Sequence, residues 1–326
     1  KGGCACSCDA LSPIPGNEQT IIDIDVSSSS LAAMNAPARI DSPAELATRT
    51  PADLAITVRD SRFGRERGLD RWWCNGDPVA TAWNNALSAC FPRGEALFID
   101  SVKAFRDGAP PRLEREIRAF VKQEVNHSRE HILFNRKAAE SGYDMRRVEA
   151  RIERMISIAR ARPPIVQLGV TMALEHFTAM FTRVFLEHPE DFFAPGNPEA
   201  DIWRWHAVEE IEHKAVAYDT FLHATRGWSR FKRWRLKALT MLLATVRFLS
   251  NRWNDTLDLL AQDGITGIRA RARLLWYLLG KPGILRRIIP AWVAYFLPGF
   301  HPWNHDDRHL IGKYDSEFAD AVMAAE

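Results

Sequence analysis

The chain has 326 residues, 46% of them hydrophobic, with 43 Lys and Arg against 41 Asp and Glu. That length and apolar content can bury a sizeable core, and the near-neutral charge excludes a global field suited to nucleic acid or to a strongly acidic partner. The five cysteines, with Cys4, Cys6 and Cys8 crowded at the start, make no disulfide framework and point to a reducing, cytoplasmic setting.

Residues 1–60 are expected to form a flexible leader, rich in Ser, Pro, Ala and Gly, with SSSS at 27–30 and no sustained periodicity. They show no charged start followed by an apolar run, so no secretory signal is read there. A soft-metal site at the three early cysteines ranks below a disordered tail. From Asp77 and Pro78, a cap and a first-turn proline, the pattern turns helical, breaks at FPRG (91–94) and resumes through EALFIDSVKAF. Pro110 and Pro111 precede a long helix to about residue 136. A shorter helix over about 144–161 leads to Pro163 and Pro164, then a long helix over about 165–187, and Asp201 caps another over about 202–224. The final hundred residues read as helical too, and no segment reads as a strand, so the fold class is all-α.

One stretch, FVKQEVNHSREHILFN (120–135), places Glu124, His127 and His131 along the face that should be apolar, because helical neighbours lie three and four positions apart. WHAVEEIEHKAVAYD (205–219) repeats the offsets with His206, Glu210 and His213. Two further helices each carry one Glu on an apolar stripe: Glu95 with Phe98 and Val102, and Glu175 with Leu168, Met172 and Ala179. The order Glu, E-x-x-H, Glu, E-x-x-H on four long helices is that of ferritin-like di-iron and di-manganese bundles. Counted from the connecting turns at about 1.5 Å per residue, all four helices bring these groups to mid-bundle.

Buried singly, each of these residues would be a satisfied core group. Four carboxylates buried together are tolerable only with compensating charge, and two divalent cations would supply it. Glu95, Glu124, His127, Glu175, Glu210 and His213 are therefore expected to be metal ligands, with iron favoured and manganese an alternative. The connection over 136–163 is long enough to cross the bundle, which puts His131 and His206 at the same end of the site. These two are expected to be catalytic, facing substrate or oxidant. Glu130, His176 and Glu212 lie off the stripe and read as solvated or supporting residues, Glu209 is ambiguous, and Asp219 and Asn135 are candidates to orient ligand imidazoles.

LSACFPRGEALF (87–98), FVKQEVNHSREHILFN, ALEHFTA (173–179), WHAVEEIEHKAVAYD and GFHPW (299–303) resemble the family of predicted metal-dependent hydrolases, which belongs with the ferritin-like all-helical proteins. The resemblance covers roughly residues 70–310. The expected architecture is a ferritin-like four-helix bundle with a crossover helix over 61–225, and additional C-terminal helices over 226–326 packed on the bundle or on a membrane surface. The resemblance marks Glu95, Glu124, His127, His131, Glu175, His206, Glu210 and His213. The family implies hydrolysis by a metal-activated water. Analogy with bundles of this order favours O₂-dependent oxidation of a small organic substrate, which is taken here as the leading expectation, hydrolysis as the alternative, and iron storage below both.

In the C-terminal part, WSRFKRWRLKALTMLLATVRFLSNRW (228–253) joins basic residues to an apolar run too short to span a bilayer, and Lys281, Pro282, Arg286, Arg287 and Pro290 interrupt 274–298. Core packing is expected, with a peripheral membrane surface as the second expectation and nucleic acid excluded by the overall charge. A homodimer is left open. His301, His305 and His309 have helical spacing, but Pro302, Asp306 and Asp307 favour a turn over a metal face.

Overall fold

The computed structural model describes residues 48–325. Cys4, Cys6, Cys8 and the first forty-seven positions of the expected leader lie outside the described residues. Those described are helical or irregular, with no strand among them.

α1 (Pro78–Lys103) starts where expected: the Asp77 side chain accepts from Val79 N, and Pro78 occupies the first turn, where its missing N–H costs nothing. The expected break at FPRG does not occur, and α1 runs through Pro92. A proline in a helix leaves the carbonyl four residues earlier without its donor. Here that carbonyl belongs to Ser88, and Asn135 Nδ2 supplies the donor at 3.1 Å.

α2 (Pro111–Glu140), the crossing α3 (Arg146–Arg160) and α4 (Pro164–Glu187) follow, with prolines opening α2 and α4. The helix expected over 202–224 is two helices, α5 (Ala200–His213) and α6 (Val216–Ala224), interrupted at Lys214 and Ala215. Lys214, 4% exposed, turns into the protein to reach Asp307 and the His305 carbonyl.

α7 (Arg230–Gln262) packs across α1 and α4. Gly169 of α4 makes that approach possible, since a Cβ there would lie 2.9 Å from Thr240 Cγ2 of α7. α8 (Gly267–Leu275) ends in a π turn at Trp276–Gly280, and α9 (Ile284–Ala294) lies on α4. The histidine series becomes the expected turn: Pro302–Asn304 is one turn of 3₁₀ helix before α10 (Arg308–Ala325). His301 Nε2 lies 3.0 Å from Asp219 Oδ1 and His305 Nδ1 2.8 Å from Asp307 Oδ1, so these imidazoles face single carboxylates. No helix of the described residues is long and apolar enough to cross a membrane.

Residues 48–67, expected in part as leader, form an irregular strap fixed to α2 and α5. The amides of Thr57, Arg59 and Phe63 donate to Glu212, Glu209 and Glu130 at 2.9, 2.9 and 3.1 Å. Arg59 pairs with Glu212 at 2.8 Å, and Arg65 and Arg129 pair with Glu130. Extended backbone satisfies these acids because its N–H groups are not spent on a helix of its own.

Candidate metal centre

α1 contributes Glu95, α2 Glu124 and His127, α4 Glu175, and α5 His206, Glu210 and His213, all 3% exposed or less. The potential ligand atoms of Glu95, His127 and His206 lie within 4.8 Å of one another, as do those of Glu124, Glu175 and His213, and those of Glu124, His127 and Glu210. His213 Nε2 stands 3.2 Å from Glu124, 3.3 Å from Glu210 and 3.5 Å from Glu175. All six residues expected as ligands are thus brought together, and His206 joins them.

The pattern of unmet bonding capacity tests whether a metal fits. Both oxygens of Glu124 and of Glu175, Glu95 Oε1, Glu210 Oε2, His127 Nδ1 and His213 Nε2 are buried with no hydrogen-bond partner. Buried polar atoms are nearly always paired, so this convergence of acceptors calls for a positive charge among them. Without one, burial followed by neighbouring carboxylates pushes Glu124 well above the ordinary carboxylate range, and burial does the same to Glu95 and Glu175. Glu210 moves the other way: burial would raise it, but His213 and His206 beside it hold it well below.

The chain also sets the proton position on each imidazole. Gln123 gives its amide hydrogens to the Thr57 carbonyl and to Glu212, so its oxygen must accept from His213 Nδ1 at 2.9 Å, turning Nε2 toward the centre. His127 Nε2 donates to Glu209 at 3.0 Å, which leaves Nδ1 bare. Glu209, ambiguous in the sequence, is held for this task by the Arg59 amide and by Trp205 Nε1.

A longer relay reaches His206. Ser88 Oγ donates its one hydrogen to Asn135 Oδ1 at 2.6 Å and therefore accepts from His131 Nδ1 at 2.8 Å. Burial, followed by the nearby His206, keeps His131 neutral, well below its usual range. Its Nε2 then accepts from His206 Nδ1 at 2.8 Å, which turns His206 Nε2 into the centre, 2.9 Å from Glu210 and 3.8 Å from Glu95. His131 and His206 do lie at one end of the site, as the crossover requires. Metal-binding imidazoles characteristically give their second N–H to such a partner, which fixes ring and tautomer.

Some supporting assignments need correction. Asn135 acts on His131 only through Ser88. Asp219 touches no imidazole of the centre; it accepts from Thr48 and Thr50 and faces His301. Glu130 and Glu212, expected to be solvated or supporting, are 1% and 2% exposed because the strap covers them. His176 turns away, its Nε2 3.3 Å from the Ala291 carbonyl. Missed altogether were Ser88, Gln123 and Arg59, and the one signal for the first two was their position on the site-facing side of a ligand helix.

A cavity of about 110 Å³ opens beside the centre, walled by Phe91, Phe98, Phe177, Phe181 and Trp203, with Glu95, His206 and Glu210 the carboxylates and imidazole in its lining. It can enclose an apolar group next to the ligand atoms.

The family model of predicted metal-dependent hydrolases matches residues 57–306. The chain belongs to this family. No curated protein and no solved structure gives a match. The family's matched segment begins within the strap and takes in all eight residues marked from the sequence. Membership and the buried Glu and His cluster together fit divalent metal binding.

Proposed function

We propose that the protein is a metal-dependent hydrolase whose α1, α2, α4 and α5 form a ferritin-like bundle around two divalent cations. Glu95, Glu124, His127, Glu175, His206, Glu210 and His213 hold them, and the oxygen-rich donor set suits iron or manganese. The observation that carries this reading is the convergence of bare carboxylate oxygens and ring nitrogens that no group of the chain neutralises. When bound, the cations supply Lewis-acid polarisation of a substrate oxygen and a hydrolytic water of lowered pKa.

The chain's own residues do the rest. Ser88, Gln123 and Glu209 keep three imidazoles in the tautomer that faces inward. His206, expected as a catalytic partner of His131, serves as a ligand because its Nε2 lies among the oxygens of Glu95 and Glu210, and His131 positions it. The aromatic cavity seats the apolar body of a small substrate and excludes water around the bond to be cut.

The family match favours hydrolysis over the oxidation that bundle analogy suggested. The test is hydrolysis of p-nitrophenyl acyl esters by the zinc- or manganese-loaded protein under nitrogen. Turnover that rises with acyl length and vanishes in Glu124→Ala is expected. Absence of hydrolysis in every metal form, with O₂ consumption by the ferrous form that Glu124→Ala abolishes, would replace this reading with the oxidative one.

A further inference from the structure

α7 and α9 turn an apolar surface outward. Phe231, Trp234, Leu242 and Val246 of α7 and Ile289 and Val293 of α9 are 41–67% exposed. The two rows form one surface, because Trp292 Nε1 donates to Thr245 Oγ1 and Trp234 Nε1 to the Phe296 carbonyl, each at 2.9 Å. Scattered exposed apolar side chains need no explanation, whereas a contiguous patch of this extent marks an interaction surface.

Charge identifies the partner. Residues 220–305 hold fourteen Lys and Arg against three Asp and no Glu, so the rest of this +2 chain carries a net charge of −9. Arg230, Arg235, Arg247 and Arg286 are exposed on the two helices that carry the patch, and Lys281 on the connection into α9. A second copy docking face to face would set like charges opposite one another, since a two-fold interface repeats the same patch on both sides. No helix among the described residues is long and apolar enough to cross a bilayer. Aromatic and aliphatic side chains on elements with this excess of exposed cations suit the boundary between headgroups and acyl chains of an anionic leaflet.

We propose that the outer face of α7 and α9 docks on the surface of an anionic lipid bilayer, with its apolar side chains at the acyl boundary and its arginines on the lipid phosphates. The same two helices give Phe248 and Ile284 to the cavity wall, so docking sets the cavity beside a supply of apolar chains.

Flotation of the full chain with phosphatidylcholine vesicles, with and without ~30 mol % phosphatidylserine, tests this. Flotation on the anionic vesicles only, weakening as salt rises, is expected. The double substitution Leu242→Glu, Val246→Glu should reduce it about tenfold or more, with unchanged circular dichroism and metal content. If that variant misfolds, the charge reversal Arg235→Glu, Arg247→Glu should give the same loss. No flotation of the wild type, equal flotation of wild type and variants, or an apolar-face substitution that instead dissolves a dimer of a chain that does not float would each overturn the proposal.

Discussion

Arg252 and Asp255 of α7 are as deeply buried as Glu124 and His213 of the metal centre, at 1%, 0%, 0% and 0% exposure, yet their charge is met in the opposite way. Asp255 receives both Arg252 and Arg151, Arg151 also takes Asp258, and Arg252 caps the Ala86 carbonyl of α1, leaving only its Nε without a partner. At the centre the acids outnumber any cation the chain provides, and their oxygens stand open. Burial of charge is costly in both places. A cluster closed by its own partners works as a clamp between helices, and one left open works as a receptor for charge from outside.

Removing an open acid should have the largest effect. Glu124 touches both halves of the centre, so Glu124→Ala is expected to lower bound metal and to cut activity on the order of 10³-fold, checked by metal analysis and ester turnover. Stripping the metal sharpens the contrast through pH. In the metal-free chain Glu95, Glu124 and Glu175 sit well above the ordinary carboxylate range because of burial, so in that range the folded chain binds more protons than the unfolded one. Stability contributed by such groups is full below the unfolded value and is lost as pH rises. The chelated protein should melt at a higher temperature near pH ~5 than near pH ~8, and metal loading should remove that slope. Parallel pH profiles with and without metal would break the comparison.

The closed cluster should respond in stability alone. Asp255→Ala leaves Arg252 buried without its partner and is expected to cost about 3–5 kcal/mol in denaturant unfolding, with metal content unchanged. The paired change Arg252→Met, Asp255→Leu should recover most of that loss. Smaller again is the effect of the relay. Ser88→Ala removes the acceptor that fixes the His131 tautomer and should weaken metal binding about 10–100-fold while leaving the unfolding midpoint of the metal-free protein in place. Ser88→Thr, which keeps the hydroxyl, should restore it.

The open cluster was legible in the sequence and the closed one was not, for a physical reason. Glu124, His127, Glu210 and His213 break an apolar stripe at helical spacing, and that spacing survives folding unchanged, so the Glu and His residues of four helices could be placed together by counting turns. Arg252 and Asp255 stand three apart on α7, the spacing of an ordinary surface pair, and what buries and closes that pair, Arg151 of α3 and the Ala86 carbonyl of α1, no local spacing encodes. The strap was missed for a related reason. Arg59 and the amide of Thr57 act through extended backbone, and extended backbone has no periodicity to read. At FPRG, Pro92 signalled a break that did not happen, because the donor replacing its N–H comes from Asn135, forty-three positions later on another helix. For Glu130 and Glu212 the sequence leaves solvated and supporting roles open, since the cover over them lies in a segment remote in sequence.

Lys237 offers the finest test of how a buried charge without a carboxylate is tolerated. It is 6% exposed on α7, its ammonium 5.0 Å from the ring centres of both Tyr295 and Phe300, and burial brings it down to about 8. In the unfolded chain it would titrate near ~10.4. Below about pH 8 the lysine is charged in both states and the folded state bears the full cost of burying it. Between that value and the unfolded one, the unfolded chain binds more protons, so stability rises with pH and the cost disappears above the window. Lys237→Met should therefore gain about 2 kcal/mol at neutral pH, the ring contacts offsetting part of the cost of burial, and the gain should shrink toward zero above pH ~10.5. A gain that stays constant across this range would mean that the ammonium costs nothing where it sits, and that aromatic faces alone can close a buried cation as completely as Asp255 closes Arg252.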